Sequence, residues 1–248
     1  MWKEFNIESM KDYHKLYNLS DVLLLADFEN FRSICMNHYG MDPAWYFSAP
    51  GLAWDATLKI TKVQLELLSD PDMLLMIKSG IRGEIATILH RHAKSDNEYM
   101  GTEFDPAEET KYISYLDANN LYGWAMSKQL PTSGFTWMTD NELDDWKYLS
   151  CFLDVDLEHP EYLYDLHKDY PRAPERITIG NVEKLIPNLN NKTHHVVHYE
   201  NLKLFASLGL KITKIHTGIK FEESAWLQEY ISLNEMLRIE AKQSGNNF

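Results

Sequence analysis

Chemistry in this 248-residue sequence has to come from a handful of carboxylates, tyrosines and histidines, and their spacing narrows what each can do. The most informative run is Lys111-Tyr-Ile-Ser-Tyr-Leu-Asp117-Ala118-Asn119-Asn120-Leu121-Tyr122-Gly123-Trp124-Ala125-Met126. Ile113, Tyr115 and Asp117 fall on one face of an extended chain, and Tyr112, Ser114 and Leu116 on the other. Residues 111–117 are therefore expected to form a strand that delivers Asp117 at its carboxyl end. Asn119 and Asn120 suit a turn, and Leu121, Trp124 and Ala125 follow at helical spacing. A carboxylate at such a junction can hold a hard cation such as Mg²⁺, which takes one or two carboxylates together with substrate phosphates. The same Asp serves equally as an N-cap or turn residue, so position alone leaves both readings open.

The other candidates are weaker. Tyr17 and Asp21 are four apart and share a face of a helix, where Asp could hold a cation and Tyr orient a water or a phosphate. An ordinary half-exposed helix face has the same pattern. Asp154 and Asp156 share one face of an alternating run, Cys151-Phe-Leu-Asp-Val-Asp-Leu157, where they invite a metal or simply meet solvent. His194, His195 and His198 tempt a metal reading, but a strand over residues 193–199 sends His194 and His195 to opposite faces. With no Cys or carboxylate nearby in sequence, a structural or surface role is expected for them.

These residues need elements to position them. Residues 8–39 read as one long helix, with Ser9 as N-cap, Leu16, Leu19, Leu23, Ala26 and Phe31 as its apolar face, and Gly40 and Pro43 as its stop. Residues 46–58 read as a turn and a helix punctuated by Pro50 and Gly51, and residues 65–77 as a helix broken at Ser69-Asp70-Pro71. Residues 95–110 read as a loop, Ser133-Gly134 as a chain reversal, and the Pro- and Asn-rich stretch 159–191 as an irregular subdomain. Residues 201–208 read as a helix capped by Gly209, 210–215 as a strand, and 224–241 as a last helix.

The totals limit the function classes. A 44% apolar share with 12% aromatics describes a globular protein, and no apolar run approaches the roughly 20 residues of a membrane span. The charged start has no signal-peptide core, so an intracellular protein without membrane attachment is expected. Cys35 and Cys151 are too far apart for a CxxC site and read as two reduced thiols. The net charge of -13 counts against broad nucleic-acid binding, unless basic groups are confined to a groove. Arg82, His90, Arg91, His92 and Lys94 form the most basic local cluster.

Asp117-Ala-Asn-Asn-Leu-Tyr-Gly123 resembles motif A of B-family DNA polymerases, whose core is Asp, three variable residues, Leu-Tyr and usually Pro. The wider run to Leu130-Pro131, together with residues 46–54 and 198–216, is similar to the protein-primed, organellar and viral branch, including polymerases of Polinton/Maverick mobile elements. Tyr17-Asn-Leu-Ser-Asp21 resembles the third motif of that family's 3'-5' exonuclease, and Gly80-Ile-Arg82-Gly83-Glu84 stands where its Gly-Gly linker lies against the template strand. The resemblance implies an α+β fold: residues 1–40 as the tail of an RNase H-like exonuclease domain, 41–110 as a connection, 111–158 as part of a palm with an antiparallel sheet and flanking helices, 159–197 as an insertion, and 198–248 as the passage toward the fingers.

It also implies roles. Asp117 and the Ala118 carbonyl would hold catalytic Mg²⁺, two ions in a complete site. Asn120, Leu121 and Tyr122 would form the nucleotide site, Tyr122 packing beneath the deoxyribose where a 2'-hydroxyl clashes. Tyr17 and Asp21 would belong to the exonuclease, Asp21 as a metal ligand, and Arg82 and Gly83 would contact DNA. Substrates would be a DNA template, a primer and dNTPs, with a terminal protein supplying the priming hydroxyl. Three departures stand out. Gly123 replaces the usual Pro, Glu84 replaces the second Gly and would repel phosphate, and relatives carry one more residue between Asp27 and Phe28. The sequence stops at Phe248, before motifs B and C would be expected, so the leading expectation is a polymerase segment that is inactive alone. A non-catalytic mobile-element remnant retaining at most DNA binding is the alternative.

Overall fold

The computed structural model describes residues 2, 4–83, 85 and 87–245; Glu84, on which the expected repulsion of phosphate falls, lies outside them. Helix α1, Met10–Tyr39, starts at a capping box in which Ser9 and Asp12 bond each other's backbone N–H groups, and ends at Gly40, whose φ of 63° is the left-handed C-cap conformation that glycine adopts without strain. It runs unbroken through Asp27 and Phe28. Helix α2, Ala49–Thr61, is capped by Ser48; Pro50 and Gly51 sit inside its first turn, where Pro is preorganised for a helix, rather than interrupting it. Helix α3, Pro71–Gly80, is capped by Asp70. Residues 62–70 form no helix, which corrects the expectation of one beginning at residue 65.

Helix α4, Leu121–Met126, follows the Asp117 run and leads to strand β1, Leu130–Trp137. Then come α5, Asp140–Asp144; β2, Cys151–Glu158; α6, Tyr164–His167; β3, Glu175–Ile179; β4, Val182–Ile186; β5, Lys192–His198; α7, Tyr199–Ser207; β6, Lys211–Ser224; and α8, Gln228–Gln243. Three expectations change. Ser133-Gly134 does not reverse the chain but makes a bulge inside β1, with Gly134 at φ 72° and the register shifting on both sides of Ser133. Stretch 159–191 contains the β3–β4 hairpin, and β6 continues well past Ile215.

The chain divides into two compact units, Met1–Val63 with Ala125–Lys128 and Ala225–Phe248, and Gln64–Trp124 with Gln129–Ser224. In the first, α2 packs on α8 with Trp54 edge-on to Trp226, and the Tyr39 hydroxyl donates to Asn234 Oδ1 at 2.6 Å. Cys35 is buried in α1, but Leu19, Leu23, Phe28 and Phe31 are exposed. The expected apolar face is therefore present in sequence but uncovered by the described residues.

The second unit is built on an antiparallel sheet of order β1-β6-β2-β5. Central β2 alternates strictly: Cys151, Leu153, Val155 and Leu157 are buried, while Phe152, Asp154, Asp156 and Glu158 face outward. Its inner face joins Leu202 of α7, Phe221 of β6 and Trp146 in one core. Gly218 belongs there because an added Cβ would stand 2.6 Å from Met138 Sδ and 2.8 Å from Leu153 Cδ2. One segment, residues 64–82, touches both sheet edges. At β1, Glu66 N–H donates to the Thr132 carbonyl, Glu66 Oε2 accepts from Gly134 N–H, and Trp137 Nε1–H donates to Asp70. At β5, Gly80 comes so close that an added Cβ would lie 2.9 Å from Val196 Cγ1, and Arg82 donates to the Val196 carbonyl. The ten residues of α3 span about 15 Å, which matches the roughly 14 Å between the outer strands of a four-stranded sheet.

Leu153 is fully buried on the central strand. We expect Leu153→Ala to destabilise the second unit by about 2–5 kcal/mol, read as a lower midpoint in urea unfolding with an unchanged slope.

Candidate functional site

Residues 112–118 form no helix and pair with no strand among the described residues; only a bridge between Asp96 and Lys111 ties their start, through backbone bonds of 2.9 and 2.6 Å. This corrects the expected motif strand. Alternation alone does not make a ladder, and Ile113, Tyr115 and Leu116 are all exposed. Asp117 is exposed at the end of this segment.

Asn120 then takes a left-handed φ of 52°, a conformation Asn tolerates, and its carbonyl accepts the Trp124 N–H at 2.9 Å to open α4. Gly123 is buried in that turn: an added Cβ would lie 2.3 Å from Asn120 Nδ2, so the proline usual in the resembling motif would displace the Asn120 side chain. Leu121 and Tyr122 present exposed side chains, Tyr122 at 83%.

A divalent cation can be tested against this geometry. Among the described residues no cluster of three or more His, Cys, Asp or Glu side chains could hold a metal. Asp117 is one exposed hard oxygen donor, next to the Ala118 carbonyl, and fits a cation held jointly with substrate phosphate rather than in a closed protein cage.

Tyr17 and Asp21 lie one turn apart on α1, both exposed, Tyr17 continuing an aromatic row with Tyr13. Arg82 is not a free surface cation. Its guanidinium donates to the Gly80 and Val196 carbonyls and lies 3.3 Å from His195 Nδ1, holding the end of α3 to the open edge of β5. Gly83 is exposed, with open space around it. Within the second unit, Arg82 makes no described contact with Asp117.

The outer sheet face holds a cluster that local sequence concealed. His194 Nδ1 lies 2.9 Å from Asp154 Oδ2, and its backbone N–H donates to Asp156 Oδ1 at 2.9 Å. His216 Nε2 approaches Asp156 Oδ1 at 2.8 Å as an ion-pair contact rather than an aligned hydrogen bond, and the two imidazoles stack with centroids 4.0 Å apart. The expectation that no carboxylate stands near His194 is thereby corrected: Asp154 and Asp156 arrive from β2. Both neighbours of β2 bulge at this level, β5 with His194 at φ 50° and β6 around His216. Bulges of this kind re-aim side chains, and neither can be read from a single strand. The hydrogen bond that His194 donates to Asp154 raises the His194 pKa, while His216 and the His194 N–H hold Asp156 below the usual carboxylate range.

The family described as DNA polymerase type B, organellar and viral, matches residues 97–248, which include the Asp117 run, α4 and the whole four-stranded sheet. The chain belongs to this family of nucleotidyltransferases, whose activity is DNA-directed DNA synthesis on DNA and nucleotide substrates, and B-family polymerases generally use divalent metal ions. Neither curated proteins nor solved structures gave a match. Among the described residues no helix is long and apolar enough to cross a membrane.

The His194–Asp154 pair makes a testable pH statement. Because the folded pKa of His194 is raised, its pairing contributes below the unfolded imidazole value of about 6.5 and is lost as pH rises through the folded value. Side-chain NMR titration should place His194 above an ordinary histidine, and Asp154→Asn should return it toward that value and flatten the fall in stability on the alkaline side.

Proposed function

We propose that this stretch supplies the motif A half of a polymerase active site, with Asp117 as the catalytic carboxylate for template-directed addition of dNTPs to a primer. The observation that carries the reading is an exposed Asp117, set just ahead of the turn that opens α4, inside the family's matched region. Bound Mg²⁺ would supply charge stabilisation for in-line phosphoryl transfer. Asp117, with the Ala118 carbonyl, would offer it oxygen ligands. The exposed ring of Tyr122 would pack beneath the incoming sugar and exclude a 2'-hydroxyl by contact, while Leu121 and Asn120 shape the floor of that nucleotide site. The full constellation needs a second carboxylate and a cationic clamp for the leaving pyrophosphate, so residues 1–248 alone are proposed to be inactive.

In the same proposal Tyr17 and Asp21, on exposed α1, come from the tail of a 3'-5' exonuclease domain at residues 1–40, with Asp21 as a metal ligand. Residues 41–110 connect it to a palm, 111–158 carry motif A, 159–197 form the insertion and 198–248 lead toward the fingers. Gly83 lies open to a DNA phosphate, and Arg82 serves that contact by pinning the linker to β5. Initiation from the hydroxyl of a terminal protein, in a viral or mobile-element setting inside the cell, completes the reading.

A second reading, an inactive remnant with at most DNA binding, is favoured by one observation: residues 112–118 lack a strand partner among the described residues. Primer extension separates the two. In a version of the protein that extends primers, Asp117→Asn should abolish synthesis while leaving the unfolding midpoint unchanged, because the side chain is exposed. Tyr122→Ala should retain synthesis and admit ribonucleotides. Undiminished extension by Asp117→Asn would remove Asp117 from the chemistry.

A further inference from the structure

A cleft of about 330 Å³, walled by residues 77–82 on one side and by residues of the matched region on the other, takes no part in the proposed catalysis. It lies in the second unit, beneath the end of α3, and its walls are largely apolar and aromatic: Ile77, Ile81, Phe152, Pro174, Val197 and Phe205. That size and lining are those of a small-molecule site.

The polar side chains lining the cleft are those of Arg82, His195, His198 and Asn201. Arg82 gives one Nη1 hydrogen to the Gly80 carbonyl and the other to that of Val196, and Nη2 faces His195 Nδ1. Nε–H and the second Nη2 hydrogen are left without a partner among the described residues. His195 Nδ1 accepts from Arg82 and His198 Nδ1 accepts from Glu200 N–H, so each ring carries its own proton on Nε2. Burial keeps both rings neutral, driving the His195 pKa down to about 3 and lowering that of His198.

Charge is the decisive feature. The Arg82 guanidinium is partly buried, and its partners are two carbonyls and a neutral imidazole; no carboxylate of a described residue pairs with it, and none lines the cleft. Burial, and after it repulsion from a second cation, Arg176, lowers the Arg82 pKa. Glu175, the local anion, is bound to Lys192 and Asn188 instead. A partly buried cation with no counter-charge among the described residues is costly, and an anion entering the cleft would relieve it.

We propose that the cleft beside Arg82 binds a small aromatic anion, a flat ring carrying one carboxylate or phosphate. The ring inserts between Phe152 and Phe205, and the acidic group meets the Arg82 N–H groups that no described residue occupies. Asn201, exposed on α7, stands at the mouth.

The test is calorimetric titration of naphthoate into the full chain, with naphthamide as the uncharged control. Saturable one-to-one naphthoate binding is expected, at least about tenfold tighter than naphthamide, which corresponds to about 1.4 kcal/mol. Arg82→Met should remove the preference for the anion, and Asn201→Trp, which fills the mouth and leaves the Arg82 bonds intact, should abolish binding with an unchanged melting curve. If Asn201→Trp fails to fold, the Arg82→Met comparison decides. Absence of saturable naphthoate binding, equal affinity for naphthamide, or an anion preference retained in Arg82→Met would overturn the proposal. Displacement of naphthoate by a single-stranded oligonucleotide would overturn it as well, assigning the cleft to the path of DNA. None of these outcomes depends on catalysis by Asp117.

Discussion

The second unit depends on the period-two alternation of β2. Its inward residues, Cys151, Leu153, Val155 and Leu157, are almost fully withdrawn from solvent, and their burial fixes which face of the sheet is core. A slip of one residue would put Asp154 and Asp156 inside and Leu153 and Val155 outside, so the register is set by the cost of burying carboxylates as much as by the gain from burying aliphatics. Once β2 is fixed, β5 and β6 must bulge where they do to bring His194 and His216 to the two Asp residues. Cys151, held among apolar neighbours, has its thiol pKa pushed up to about 12, which leaves it an inert packing residue.

What the sequence disclosed follows from range. The capping box at Ser9, the stop at Gly40, the N-cap at Asp70 and the alternation of β2 are all local signals, with cause and effect within a few residues. Failures occurred where the deciding partner is distant. Residues 111–117 alternate as well as β2 does, yet β2 finds neighbours on both sides and the Asp117 run finds none among the described residues. Ser133-Gly134 carries turn chemistry that the fold spends on a bulge, because β6 runs alongside and holds the chain straight. The His194 cluster needed three strands to assemble, and no spacing along one of them could announce it.

The candidate site shows the same division. Asp117, the turn and α4 were legible because a short motif encodes them, and they remain the part of the chain most exposed to whatever binds there. Arg82 was legible only as a positive charge. Its position, folded back on Val196 and His195, makes it part of the scaffold that holds the linker, with part of its guanidinium already committed to that role. The overall acidity of the chain is compatible with this economy, since one well-placed cation in a cleft acts locally whatever the total charge.

The segment 64–82 has a further consequence for the order of events during folding. Its two ends lie against the outer strands β1 and β5, whose unpaired backbone would otherwise be a template for pairing with another chain. Yet the segment is synthesised before either strand, and its contact with Val196 spans 114 residues. Until that contact closes, the edge of β5 stands bare. Self-association would therefore be concentrated in that interval, and a chain weakened at Gly80 would be betrayed by aggregation on refolding before any change in the finished sheet.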